Sequence, residues 1–138
     1  MPLKVEYLDG RRGIFSEASG QLTGTELLLA MADANSPPLA NTPILYTFFD
    51  FNGVTGLDIT TAQVRRAAEL SIKAARNQSV GRVVAIYAND DLQFALARMW
   101  QILADYTGWD TRVFRDRADA AVWVRQLVAL KFGIQAAI

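Results

Sequence analysis

The spacing of apolar residues switches repeatedly between a strand period and a helix period along this chain. Lys4–Leu8 alternates charged and apolar residues and then meets Asp9-Gly10. Gly13–Ser19 resumes as a second extended run, so the pair predicts an antiparallel hairpin. Leu27–Met31 is the core of a first helix, and Ser36-Pro37-Pro38 ends it because proline lacks the amide hydrogen a helix needs. Ile44–Phe51 is a continuous apolar run rich in aromatic and β-branched residues, as expected of a strand covered on both faces. Arg82–Ala88 repeats that character. Helical periods cover Thr61–Asn77, Asp91–Thr107 and Arg117–Phe132, with a short strand at Thr111–Phe114. The order ββαβαβαβα predicts a single α/β domain over residues 1–138: four helices on a mainly parallel sheet edged by the N-terminal hairpin. Ile44–Phe51 and Arg82–Ala88 should be parallel neighbours, or nearly so, in its interior.

The helix faces sharpen this picture. The second helix gathers Val64, Ala67, Ala68, Ser71, Ala74 and Ala75 on one side, with Arg65, Arg66, Glu69, Lys73 and Arg76 on the other. Small residues on the inner side let a helix lie close to a sheet. The third helix carries a wide apolar stripe that includes Leu92, Ala95, Leu96, Met99, Ile102 and Tyr106, with Trp100 at one margin. Phe94 falls on its polar side, where an exposed ring is a candidate apolar contact. The fourth helix points Ala121, Val124 and Val128 inward, and Trp123, Leu127 and Leu130 widen its stripe. The apolar tail 132–138 has three places to go: a sheet edge, a second subunit in a homodimer, or fraying.

Four helix starts share one chemistry. Thr23 precedes Glu26 and Thr60 precedes Gln63 at capping-box spacing, while Asp90 with Gln93 and Asp116 with Asp119 are looser versions.

Composition then removes whole classes of function. The chain is 51% hydrophobic and 20% charged, which predicts a globular domain. Its 14 basic and 14 acidic side chains cancel, so no nucleic-acid partner is expected. There is no cysteine and no histidine, which excludes thiol nucleophiles, thiolate or imidazole zinc sites and a serine–histidine triad. The opening MPLKVEYLDG has no signal-peptide character, and no apolar run reaches membrane-spanning length. A cytoplasmic, non-enzymatic protein without cofactor or metal is the expectation.

The usual binding edge of a parallel sheet lies at the C-terminal ends of its strands. Asp50, Asn52, Gly53, Asp58, Thr61, Asp90 and Asp91 map to that edge. An acidic cluster there could hold Mg²⁺. A receiver-type phosphoacceptor, however, needs an acidic pair after the first strand and a lysine after the last, and this chain has a hairpin and Arg115-Asp116 there. Thr60 sits where a strand hands over to a helix. Its hydroxyl suits a helix cap, and the same position suits a phosphate, because helix N-termini favour anions.

The stretch "FDFNGVTGLDITTA" resembles the central signature of STAS domains, the anti-sigma-factor-antagonist fold. Asp50, Val54 and Asp58 fall in register with that signature, and Thr60 falls on the family's phosphorylatable serine. Thr61 stands where the family has glycine, and Ile59 replaces a small hydroxyl residue. "GRVVAIYANDDLQFALARMWQILAD" with "TRVFRDRADAAVWV", and "LTGTELL" nearer the start, resemble the bacterial SpoIIAA-like branch. The resemblance spans Leu22 to Val124 and implies first a non-catalytic regulatory module that binds a protein partner, with Thr60 as phosphoacceptor. The alternative is a carrier or sensor of a small apolar ligand or lipid that associates reversibly with membranes, with which Phe94, Trp100 and Trp123 on the helix faces are compatible as apolar contacts.

Overall fold

The computed structural model describes residues 3–35, 42–78 and 80–138. The proline break expected at residues 36–38 lies outside them. The hairpin is present as β1 (Leu3–Leu8) and β2 (Gly13–Thr23), turned by Asp9 and Arg11, both at positive φ, with Gly10 between them. Then come α1 (Gly24–Asn35), β3 (Tyr46–Asp58), α2 (Thr61–Arg76), β4 (Val83–Tyr87), α3 (Asp91–Leu103), β5 (Asp110–Phe114) and α4 (Arg117–Phe132). A 3₁₀ turn over Ala104–Thr107 follows α3. The sheet has the order β1-β2-β3-β4-β5, antiparallel between β1 and β2 and parallel elsewhere. The fold is therefore α/β in the expected order, and β3 and β4 are interior neighbours.

Alternation along β3 builds two cores. Tyr46 and Phe48 face α4, where Val83, Ala85, Phe114, Ala121, Val124 and Val128 join them. Phe49 and Phe51 face the other side, where α2 and α3 bring Val64, Ala67, Ala97 and Trp100 against Val84 and Ile86. The small face of α2 is buried as its periodicity predicts.

Two stretches depart from expectation. The strand expected over Ile44–Phe51 runs on to Asp58, through both glycines. It stays paired with β2, Ser19 opposite Gly53 and Thr23 opposite Asp58, beyond the point where β4 ends. Glycine there serves close approach, not a turn: a Cβ on Gly53 would lie 2.9 Å from the Ala18 carbonyl oxygen. Two register shifts, each with one extra residue in β3, opposite Ala18 and between Gly20 and Gln21, absorb the mismatch. On α3, the buried positions are Gln93, Ala97 and Trp100. Leu92, Ile102 and Tyr106 are 56%, 65% and 86% exposed, so the stripe was placed too far round the helix. Ala97 and Ala104 mark its true centre and carry little hydrophobic weight in a periodicity argument. Leu130 of α4 also points to solvent.

The tail folds back onto the α4 side of the sheet. Ile134, Ala136 and Ile138 pack into the α4-side core, and the Ala137 amide donates to Asp9 Oδ2 at 3.0 Å. The same carboxylate oxygen accepts from the Tyr46 hydroxyl. Burial, with Asp9 beside it, holds that phenol protonated well above its ordinary range.

Gly13 pairs with Tyr46, whose ring lies across it. A Cβ at residue 13 would sit 2.1 Å from Tyr46 Cζ. Gly13→Ala should therefore cost roughly 1–3 kcal/mol, the usual range for overpacking. Denaturant unfolding measures this, and an unchanged midpoint would mean the ring is not fixed.

Candidate functional site

The residues expected at the C-terminal edge are found there, and each polar group that the structure describes in contact is already engaged in holding the fold. Asp50 is buried; its Oδ1 accepts from the Asn52 amide at 2.8 Å and its Oδ2 from Arg117 Nε at 3.2 Å. Thr60 makes a complete capping box. Its Oγ1 accepts from the Gln63 amide at 3.1 Å, and Gln63 Oε1 accepts from the Thr60 amide at 2.9 Å. Asp90 caps α3 through the Leu92 and Gln93 amides. Asp91 pairs with Arg115 at 2.8 Å. Asn52, Gly53, Asp58 and Thr61 are exposed. Among the described residues, no three carboxylates gather so as to hold a metal ion.

The three expected aromatic contacts do not form one surface. Phe94 is half-buried, packed on the α2–α3 core beneath the Arg115 guanidinium, 4.2 Å from its ring centre. Its position beside the helix's polar side is real, but Arg115 and the neighbouring strand end cover it. Trp100 is buried in the same core. Trp123 lies across the sheet, tilted on Phe114 at 5.5 Å.

Between the sheet and helices α1–α3 lies a partly open cavity of about 120 Å³. It lies where the small residues Ala67 and Ser71 of α2 and Ala97 of α3 face Phe49, Val84 and Ile86 of the sheet. Leu27, Ala30 and Met31 of α1 complete the wall. Aliphatic and aromatic carbon makes most of the lining.

Three of its polar groups lie at the N-terminal ends of the strands. Thr47 is the second residue of β3, Arg82 immediately precedes β4, and Trp109 immediately precedes β5. Arg82 is only 6% exposed and stacks over the Trp109 ring at 4.3 Å. Burial pushes its guanidinium down to about 10, which leaves it a cation at neutral pH. Trp100 Nε1 and Thr47 Oγ1 are buried without a hydrogen-bond partner among the described residues. A buried polar group left in that state costs about 1–3 kcal/mol. By contrast the Ser71 hydroxyl donates to the Ala67 carbonyl at 3.1 Å, and Gln93 Nε2 donates to the Val54 carbonyl at 3.4 Å.

Sequence reasoning did not find this cavity. The available signal was a polar residue inside a run otherwise apolar enough to be covered on both faces: Thr47 within Ile44–Phe51, and Arg82 opening Arg82–Ala88. Such residues place polar atoms in the interior, where they need a partner.

The capping box generates a direct expectation. Thr60→Ala should lower stability by about 0.5–2 kcal/mol, and Thr60→Ser by less, since serine keeps the accepting oxygen. Equal unfolding midpoints for wild type and Thr60→Ala would show that the hydroxyl contributes nothing as a cap. Comparison of the chain with protein-family models, with curated proteins and with solved structures finds no match.

Proposed function

We propose that this chain is a non-enzymatic binding module that holds a small apolar ligand between its sheet and helices α1–α3. The observation that carries this reading is the cavity itself. A hollow of about 120 Å³, were it closed and empty, would forgo roughly 3 kcal/mol, at about 24 cal/mol per Å³. That is a large share of the stability of an ordinary domain. The reading favours the ligand-carrier implication of the STAS resemblance over the phosphoswitch implication. Thr60 has a sufficient role in its capping box.

Size limits the ligand. An apolar cavity of about 150 Å³ takes benzene. This one suits a small ring or a short branched chain, and a long acyl chain would need the helices to move. The lining also argues for binding rather than catalysis. Among the described residues it offers hydroxyls, an amide, two indoles and a guanidinium, but no carboxylate, histidine or lysine to act as a base near neutral pH.

Titration with benzene, followed by methyl NMR, tests the proposal. Methyl groups of Ile14, Val64, Val84 and Ile86 should shift, while those of Val124 and Val128 across the sheet should not. Ala97→Leu should fill much of the hollow, raise stability by about 0.5–2 kcal/mol as cavity-filling changes commonly do, and abolish the shifts. Cavity methyls unmoved by saturating benzene in the wild type would overturn the reading.

A further inference from the structure

Helix α3 carries two apolar faces, and only one of them meets the sheet. The inner face buries Gln93, Ala97 and Trp100. On the outer side, Leu92, Ala95, Met99, Ile102 and Tyr106 recur at alternating intervals of three and four residues. Met99 is half-buried and the other four are exposed. Tyr106 lies in the 3₁₀ turn that carries the helix on past Leu103. Alternation of three and four is the spacing of a seam that receives a second helix.

The flanks of the seam say which helix. Arg98 and Asp105 immediately precede Met99 and Tyr106; they are opposite in charge, both exposed, and line the same groove beside β5. Arg98 Nη1 donates to Gln101 Oε1 at 2.5 Å, and a guanidinium has four further N–H donors for a carboxylate. The other flank holds the half-buried Leu96 and Leu103. Both flanks are complementary to themselves when a second copy of α3 runs antiparallel. A two-fold axis between Trp100 and Gln101 sets Met99 of one copy against Ile102 of the other, and Ala95, small, against Tyr106, large. The same axis sets Arg98 against Asp105 and Leu96 against Leu103. Each of these contacts occurs twice, as a two-fold interface requires. Sliding the partner by one heptad keeps the seam aligned but sets Arg98 against Arg98, or Asp105 against Asp105. A parallel partner sets Arg98 against Leu103. Charge thus selects one orientation and one register.

We propose that the outer face of α3 is the interface of a homodimer in which two copies of this helix pack antiparallel about that axis. The proposal is independent of the ligand reading, because the cavity lies beneath the inner face of α3. The paired length, Ala95 to Tyr106, is roughly 16 Å at 1.5 Å per residue. Such a contact is small for a protein interface, so the dimer exchanges with monomer and has a dissociation constant between about 1 μM and 1 mM.

Sedimentation equilibrium of the intact chain across that concentration range should show twice the mass of the chain at the upper end. Ile102→Asp should weaken the dimer at least tenfold. Arg98→Glu and Asp105→Arg should each do the same, because each sets like charges against one another at two places. The double variant R98E/D105R restores opposite charges and should recover the wild-type dissociation constant to within about threefold. All three positions are exposed, so unfolding midpoints measured on dilute protein should stay at the wild-type value. A wild type that stays monomeric throughout would overturn the proposal. So would a dimer that survives Ile102→Asp, which would place the interface elsewhere. Two disruptive single charge variants whose combination restores nothing would overturn the antiparallel register.

Discussion

The two faces of β3 and β4 must both be covered, and the order of the strands decides what is available to cover them. When parallel strands follow one another across a sheet, each crossover turns with the same hand, so the connecting helices gather on one face. Here α1, α2 and α3 do so. The opposite face, no less apolar, is left to α4 and whatever chain follows it. That shortage explains why residues beyond Phe132 are packed, with Ala136 only 4% exposed. It also explains why the Tyr46 hydroxyl, in the middle of this face, is tied to the β1–β2 turn. Tyrosine that is fully buried needs a partner for its oxygen. Asp9 provides it, and the same carboxylate anchors the tail through Ala137.

The crowded face has the reverse problem. Three helices compete for one side of a five-stranded sheet, and they fit by presenting small residues. Alanine lets a helix approach closely, yet it cannot fill the space between large neighbours. Ala67 and Ala97 face Phe49, Val84 and Ile86, and the space left between them is the cavity. Interiors are ordinarily packed as tightly as organic crystals. A hollow in the best-covered layer of this protein is thus a local property of side-chain choice and not of a loose fold.

Much of the architecture was legible because its causes are local. The alternation in β1, the turn at Asp9-Gly10 and the cap chemistry at Thr23, Thr60, Asp90 and Asp116 all act within a few residues, and all are present. Phe51–Asp58 was misread because Gly53 and Gly56 punctuate a sequence in the same way whether they make a turn or admit a neighbouring strand. Only the position of β2 distinguishes the two. The third helix was misphased for a related reason. Its inner face is built on Ala97 and Ala104, while Leu92, Ile102 and Tyr106 are stronger apolar signals that point outward. Periodicity weighs hydrophobicity, but contact with a crowded sheet selects for small volume.

The same distinction separates the expected site from the one the structure encloses. The residues anticipated at the C-terminal ends of the strands are polar and lie close to helix starts, which is where polar residues are most often required by the backbone. Asp50, Thr60, Asp90 and Asp91 are each satisfied by an amide or a guanidinium. Groups already satisfied have little free energy left to give a ligand. Thr47 and Trp100 are in the opposite condition: buried, with donors that no neighbour among the described residues uses. Unspent hydrogen-bonding capacity in an interior is more informative than a cluster of polar residues on an edge. The first persists only at a cost to stability, while the second is what a helix start ordinarily requires.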